Sequence, residues 1–287
     1  MIDYYKDFDW IIAKKLIKQA LDEDIGNGDI TSEFLISTQK SSKARLILKQ
    51  NSVVAGLKIF EFVFKTLNSK IQISLKAKEG KYYGKGKIIA FVSGNTTDLL
   101  AGERLSLNIL QRMSGIANSV YNLKKKLDNN SIKILDTRKT TPNFRIFEKL
   151  AVKIGGGVNH RFGLYDMILI KDNHINANGG ILNTLNKLKR IKTKLKIEIE
   201  VKNLNEYQIV QDQGKGVIDI VMLDNFDMKD VKKAILMNRE KFKIELSGGI
   251  SENNISRYKN ITGVDYISSG SLTHSYYSTD ISFDFNT

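Results

Sequence analysis

Between Asp136 and His174 the chain gathers Arg138, Lys139, His160, Arg161 and Lys171 around three consecutive glycines, Gly155 to Gly157, and its only proline, Pro142. Fixed cations repel one another, so their convergence implies an anion held between them. Arg138 and Arg161 offer planar forks for a carboxylate or phosphate, whereas Lys139 and Lys171 are compact point charges. Two arginines with two lysines suit a polyanion better than a monoanion. Structural pairing with Asp136, Asp166 or Asp172 explains any one of the four cations, but not all of them together.

All three histidines, His160, His174 and His274, fall in segments of the same kind, just beyond apolar runs. No pair has the close spacing of zinc ligands, so a histidine metal site is not expected. His160, beside Arg161, is expected to donate a hydrogen bond to an anion, while His174 and His274 suit structural and binding roles equally. Glu198 and Glu200 alternate and so share one face of a strand, and Asp224 ends the next strand. Carboxylates facing a basic pocket suit sugar hydroxyls or a hydrated Mg²⁺, which prefers oxygen ligands. The alternative for both glutamates is a buried pair with a pocket lysine. Ser247-Gly248-Gly249 and Ser268-Ser269-Gly270 follow the last two strand-like runs, where barrels frequently bind a phosphate through backbone N–H groups.

The elements that must position these groups are legible from periodicity. Asp9 reads as an N-cap for a helix over Trp10 to Leu21, stopped before the loop Gly26 to Asp29. Strand-like segments at Ala44–Lys49, Ile71–Ala77 and Lys87–Val92 flank a helix over Leu57–Leu67, with a turn at Gly84 to Gly86. A long helix is expected from Thr97 to Leu127. After it, short runs rich in Ile and Val alternate with helical stretches, at Ile132–Leu135, Met167–Ile170, Ile197–Val201, Val217–Leu223, Phe242–Leu246 and Val264–Ile267, the pattern of a parallel α/β fold. Their ends carry Asp136-Thr137-Arg138-Lys139, Lys171-Asp172-Asn173, Glu200, Asp224-Asn225, Ser247-Gly248-Gly249 and Ser268-Ser269-Gly270. Parallel strands all point one way, so a barrel gathers these residues on the rim where barrel enzymes keep their active sites.

Composition narrows the class. With 287 residues, 41% hydrophobic and 26% charged, the chain can bury one large domain or two smaller ones. No apolar run approaches the roughly 20 residues needed to span a bilayer, and the N-terminus lacks the layout of a secretion signal, so a cytoplasmic protein is expected. Zero cysteines excludes disulfides and thiol nucleophiles. The formal charge of +14 reads as a sequence-wide lysine bias. The runs Lys124–Lys126 and Lys187 to Lys194 are expected on helices as solvated faces, without the aromatics of a nucleic-acid surface.

An anionic acid, a phosphorylated sugar and a metal make a phosphoribosyl-transfer inventory, and here the sequence resembles quinolinate phosphoribosyltransferase, a type II phosphoribosyltransferase that decarboxylates its substrate. The resemblance is carried by Glu23 to Thr31, Glu103-Arg104 through Ser114 to Ala117, the Asp136–His174 block, Met222 to Asn225, and Gly263-Val264-Asp265 through Leu272-Thr273-His274. It implies an N-terminal α/β sandwich domain over residues 1–112, an incomplete, open TIM-like α/β barrel over 113–272, and a tail, 273–287, packing back on the first domain. It implies that Arg138, His160, Arg161 and Lys171 bind the two carboxylates of quinolinate, and that Lys139 and Lys171 approach the pyrophosphate of phosphoribosyl pyrophosphate. Glu200 and Asp224 would hold the ribose hydroxyls and Mg²⁺, the two glycine turns (Ser247, Gly248, Gly249 and Ser268, Ser269, Gly270) the 5′-phosphate, with Thr137 and His274 also on the binding surface. Lys139, Lys171, Glu200 and Asp224 are the catalytic set. Arg104 would reach the site from a partner subunit, making a homodimer the smallest active unit.

Asn143 stands where the family usually has glycine, and Asn is the next residue most tolerant of a left-handed turn, so the loop is expected to keep its geometry. Lys202 and Asn203 replace residues that are often acidic in the family. The molybdenum-locus paralogues share the Thr-Arg-Lys motif, but Lys171 and the Asn159-His160-Arg161 triplet favour the quinolinate enzyme. A noncatalytic anion-binding or nucleic-acid-binding barrel is disfavoured by Glu200 and Asp224, which would repel an anion.

Overall fold

The structure is a computed structural model and describes residues 2–285. Met1 and residues 286–287, part of the expected first domain and tail, lie outside the described residues. In chain order the elements are α1 (Trp10–Ile25), α2 (Ile30–Leu35), β1 (Ser41–Leu48), β2 (Ser52–Val53), α3 (Leu57–Leu67), β3 (Gln72–Leu75), β4 (Tyr82–Tyr83), β5 (Ile88–Asn95), α4 (Thr96–Leu127), β6 (Lys133–Leu135), α5 (Arg145–Ile154), β7 (Ile168–Ile170), α6 (Asp172–Ala177), α7 (Ile181–Leu188), β8 (Ile197–Val201), α8 (Leu204–Gln213), β9 (Ile220–Asp224), α9 (Met228–Met237), β10 (Lys243–Ser247), β11 (Tyr266–Ser268), α10 (Ser271–His274) and β12 (Ile281–Phe285). No helix among the described residues is long and apolar enough to cross a membrane. Contacts divide the chain into two compact units: Met1–Asn122 with Thr140–Gly157 and Leu272–Thr287, and Leu123–Lys139 with Val158–Ser271.

In the first unit the Asp9 carboxylate caps α1, accepting from the Ile11 and Ile12 N–H groups at 3.0 and 2.9 Å, and Ala13, Ile17 and Leu21, four residues apart, bury one face. The sheet is antiparallel, in the order β12-β1-β5-β3. Alternation does the folding: Ala44, Leu46 and Leu48 of β1 and Ala90 and Val92 of β5 are buried with Phe60 and Phe64 of α3. Phe283 of β12 stacks on Phe64, ring centroids 5.9 Å apart. In the middle of α4, a Cβ on Gly115 would come within 2.1 Å of the Tyr277 carbonyl oxygen, so only glycine lets that stretch of the C-terminal segment pass over the helix. Helix α2 follows the expected loop at Gly26–Asp29; the Asp29 carboxylate caps it, accepting from Ser32 N–H at 3.1 Å.

The second unit holds a six-stranded parallel sheet in the order β6-β11-β10-β9-β8-β7. Its ends, β6 and β7, do not pair, so the barrel is open. Val158 makes an isolated parallel bridge to Leu135, and this lays the chain leading to His160 and Arg161 along the free edge of β6. Register fixes which side chains share a face: Glu198 pairs with Ile220, Glu200 with Met222, Met222 with Glu245, and Asp224 with Ser247. Paired residues in parallel strands project to the same side, so Glu198, Glu200, Asp224, Glu245 and Ser247 all do.

The lysine runs divide. Lys124 to Lys126 occupy the last turn of α4, but α7 stops at Leu188, so most of the run from Lys187 to Lys194 lies beyond the helix rather than on it. The chain past Leu188 has nothing to pack: Ile191 is exposed, and without a buried stripe there is little to continue a helix.

Candidate active site

Strand β6 delivers the first motif. Asp136, fully buried at its end, accepts from Asn159 Nδ2 at 2.6 Å and from the His160 N–H at 2.9 Å. One carboxylate thus ties the Asn159-His160-Arg161 segment to the base of the Thr137–Lys139 loop. The Lys139 N–H donates to Thr137 Oγ at 3.0 Å, turning the chain just past Arg138. Asp166 accepts from the Phe162 and Gly163 N–H groups at 2.6 and 2.9 Å, closing the loop that follows Arg161.

Arg161 is held under electrostatic tension. Burial and, next, the neighbouring Arg138 charge weaken its hold on its proton, while Asp166 and Glu198 oppose them. Two guanidinium groups near enough to disfavour each other make a place for an anion with more than one negative charge. From β7, Lys171 extends its Nζ to within 3.1 Å of Glu200 at the end of β8. His174 is structural here: its Nδ1 accepts the Lys171 N–H at 3.0 Å, closing the first turn of α6.

On β9, Asp224 accepts from Asn225 Nδ2 at 2.9 Å. Asn225 adopts a left-handed φ of 55°, and a Cβ on Gly248 would fall 2.2 Å from its Oδ1. Gly248 is therefore required twice, by its own φ of 100° and by the side chain beside it. In the later turn Ser269 Oγ donates to the Ile250 carbonyl at 2.6 Å and contacts Ser271 Oγ at 2.7 Å.

The His160 Nδ1 accepts the Arg161 N–H at 2.7 Å, and its Nε2 lies 2.9 Å from Glu198 and 3.7 Å from Glu245, which arrive from β8 and β10 on the same interior face. Neither glutamate has any exposure. Burial pushes both carboxyls upward, and for Glu245 the Glu198 charge adds to it. The sequence signal for Glu245 was its place in Ile244-Glu245-Leu246, an acid inside an apolar strand.

The sheet therefore brings together Thr137, Arg138, Lys139, His160, Arg161, Lys171, Glu200, Asp224, Ser247, Gly248, Gly249, Ser268, Ser269 and Gly270 within the second unit, at the carboxyl ends of its strands or in the segment beside β6. Arg104 and His274 belong to the first unit. Arg104, on α4, has an exposed guanidinium 3.9 Å from Glu103. His274 is exposed, its Nδ1 2.6 Å from Ser275 Oγ. Two groups could hold a cation: Glu200 with Asp224 on adjacent strands, the latter half-buried and reached by water, and the buried His160, Glu198 and Glu245, whose ligand atoms lie within 4.8 Å of one another.

Comparison with known proteins agrees with this arrangement. The chain is 43% identical over 271 residues to a probable nicotinate-nucleotide pyrophosphorylase [carboxylating] of Bacillus subtilis, covering 94% of this chain and 92% of the relative. It is 37% identical to the chloroplastic nicotinate-nucleotide pyrophosphorylase [carboxylating] of Arabidopsis thaliana, covering 96% and 83%. The crystal structure of NadC from Streptococcus pyogenes superposes with a TM-score of 0.92 at 35% identity, covering 98% of this chain and 99% of that one. The quinolinate phosphoribosyl transferase N-terminal domain model matches residues 29–114 and the C-terminal domain model residues 116–284, and the chain belongs to the quinolinate phosphoribosyl transferase family.

Proposed function

We propose that this chain transfers the phosphoribosyl group of phosphoribosyl pyrophosphate to quinolinate, releasing pyrophosphate and CO₂ and leaving nicotinate mononucleotide, a step of NAD biosynthesis. The observation that carries the proposal is that Arg138 and Arg161 stand close enough to disfavour each other, with Lys171 beside Glu200 at the end of β7, a charge arrangement suited to two adjacent carboxylates on one ring.

Arg138, Arg161 and Lys171 grip the dicarboxylate so that the pyridine nitrogen faces C1′ of the sugar, replacing a random encounter with a fixed approach. Lys139, exposed at the loop tip, and Lys171 neutralise charge on the departing pyrophosphate as C1′ becomes oxocarbenium-like. Glu200 and Asp224 accept hydrogen bonds from the ribose hydroxyls, and the backbone N–H groups of the Gly248-Gly249 and Ser269-Gly270 turns take the 5′-phosphate. Once the ring nitrogen is quaternary, its positive charge stabilises the pair of electrons left on C2 when that carboxylate departs as CO₂; a proton from water completes the product. Glu200 and Asp224 supply oxygen donors only, and the water reaching Asp224 suits an ion that keeps part of its hydration, so the pair fits Mg²⁺. Bound there, the ion would add positive charge beside the pyrophosphate.

A homodimer is part of the same proposal, with Arg104 of one protomer entering the site of its partner; its exposed guanidinium, 3.9 Å from Glu103, supports this. A cytoplasmic location is also part of it, since a chain without cysteine gains nothing from an oxidising compartment. The test is incubation with phosphoribosyl pyrophosphate, Mg²⁺ and either quinolinate or nicotinate. Mononucleotide and CO₂ are expected with quinolinate alone, and their absence from a folded dimer would overturn the proposal. Mixing inactive Arg104→Ala chains with inactive Lys171→Ala chains is expected to restore turnover; continued inactivity of mixed dimers would remove the shared site.

A further inference from the structure

The loop that follows Lys139 is held by a residue the mechanism above does not use. Thr141, Pro142 and Asn143 are exposed, and a short segment without buried side chains has little packing to keep it in one conformation. Arg112, on α4, supplies the order that burial does not. Its Nε donates to Glu148 Oε1 on α5 at 2.9 Å, and its Nη2 reaches both that oxygen and the Thr141 hydroxyl. Glu148 is fully buried, and its other oxygen accepts the Thr141 N–H at 3.2 Å. Thr141 is therefore gripped through its backbone and its side chain at once.

Two rings complete the grip. The guanidinium carbon of Arg112 lies 4.9 Å from the centroid of Phe144 and 4.8 Å from that of Tyr276, both within cation–π range. The Phe144 N–H donates back to the Thr141 carbonyl at 3.1 Å, so residues 141–144 form one turn, and Arg145 Nε donates to Thr140 Oγ at 2.9 Å. Arg112 and all of these partners belong to the first unit, in a stretch of chain that opens at Thr140. The residue before Thr140 is Lys139. One peptide bond thus joins Lys139 to a segment whose course Arg112 sets, while the Lys139 N–H is held on its other side to Thr137 Oγ at 3.0 Å.

We propose that Arg112 is a positioning residue for Lys139: by gripping Thr141, Phe144 and Glu148 together, it fixes the backbone from which Lys139 meets the departing pyrophosphate. The inference rests on the functional reading above, in which Lys139 neutralises that group. A lysine needs such help more than an arginine does, because its ammonium is a single point charge on a flexible four-carbon stem and has no rigid fork to align it. Ordering the loop in advance spares the reaction the cost of ordering it as pyrophosphate forms. The same contacts that saturate a buried carboxylate in the first unit then carry a second duty along the chain.

The test is a double-mutant cycle read by titration calorimetry on the full chain, with inorganic pyrophosphate and Mg²⁺ as one probe and quinolinate as the other. Arg112→Met, which keeps an unbranched stem beside the rings and loses the fork, is expected to raise the Kd for pyrophosphate about tenfold while that for quinolinate stays within about twofold. In a Lys139→Met background the same substitution is expected to raise the pyrophosphate Kd by no more than about twofold, because a residue acting through another is not additive with it. Thr141→Val, which removes only the hydroxyl that Arg112 reaches, is expected to act about threefold in the same direction, and it takes the place of Arg112→Met in the cycle if that variant does not fold. An equal rise in both backgrounds, an unmoved pyrophosphate Kd, or a quinolinate Kd that moves as far would overturn the proposal. Wild-type turnover of quinolinate is the control: without it the functional reading fails and takes this inference with it, and with it an additive cycle removes the role of Arg112 alone.

Discussion

The two units treat buried polar groups in opposite ways. In the first, other protein groups answer them locally, Ser282 Oγ excepted. Ser114 Oγ accepts from Ala55 N–H at 3.1 Å and donates to Ala55 carbonyl at 3.2 Å, Ser52 Oγ meets Thr279 Oγ at 2.7 Å, and the buried Glu148 takes Arg112 Nε at 2.9 Å and the Thr141 N–H at 3.2 Å. In the second, acids and bases accumulate at the carboxyl ends of the strands, and Arg138 and Arg161 stand side by side although each disfavours the other. The first arrangement saturates hydrogen bonds and contributes stability; the second gives up stability to keep a surface ready for a ligand.

That contrast can be broken from either side. The largest effect expected is from Arg138→Ala, which lowers kcat/KM for quinolinate on the order of 10³-fold or more, as loss of a charge-matching group at a reacting centre does, with the urea midpoint unchanged or raised because Arg161 loses its repulsive neighbour. A large fall in that midpoint would make Arg138 a structural residue. Glu79→Ala is the converse. Its carboxylate accepts from the Gly56 N–H at 2.9 Å, the Lys58 N–H at 3.2 Å and the Tyr5 hydroxyl at 2.5 Å, so its removal is expected to cost about 3 kcal/mol of unfolding free energy and leave both KM values unchanged. Altered KM values in folded Glu79→Ala would erase the division. The smallest effect is expected from Asn143→Gly. Asn143 already adopts a left-handed φ of 61°, so glycine relieves about 1 kcal/mol of strain at most, and turnover should stay within about twofold; a larger change would assign the side chain a role of its own.

What the sequence disclosed follows the same division. The strands of the second unit were legible because β9 is buried from Ile220 to Leu223, which writes an unbroken apolar run, and because parallel strands place their last residues on one edge. Asp9 announced α1 by its position before an apolar periodicity. Helix α2 was not legible: six residues long, with Ile30, Phe34 and Leu35 all exposed, it buries no stripe that periodicity could register. The ladder of β2 and β4, two residues each, is too short for alternation to appear. The orientation of His160 was hidden for another reason. Its partners come from strands 38 and 85 positions further along the chain (198 − 160 and 245 − 160), and only the register of β8 through β10 brings them to its ring. Residue types named the chemistry of the rim, whereas the groups that hold the rim in place depend on pairing that one sequence does not state.

The pairing of β12 with β1 has a consequence for biosynthesis. Leu46 lies opposite Phe283, so the sheet of the first unit waits for residues 281–285 to leave the ribosome. The second unit, ending at Ser271, has by then emerged in full. Until β12 docks, β1 presents a free edge beside an apolar face that Phe283 has yet to cover, the kind of surface that pairs with a neighbouring chain. The half of the molecule translated first is thus completed last, and chains stalled before residue 281 are the ones expected to need a chaperone.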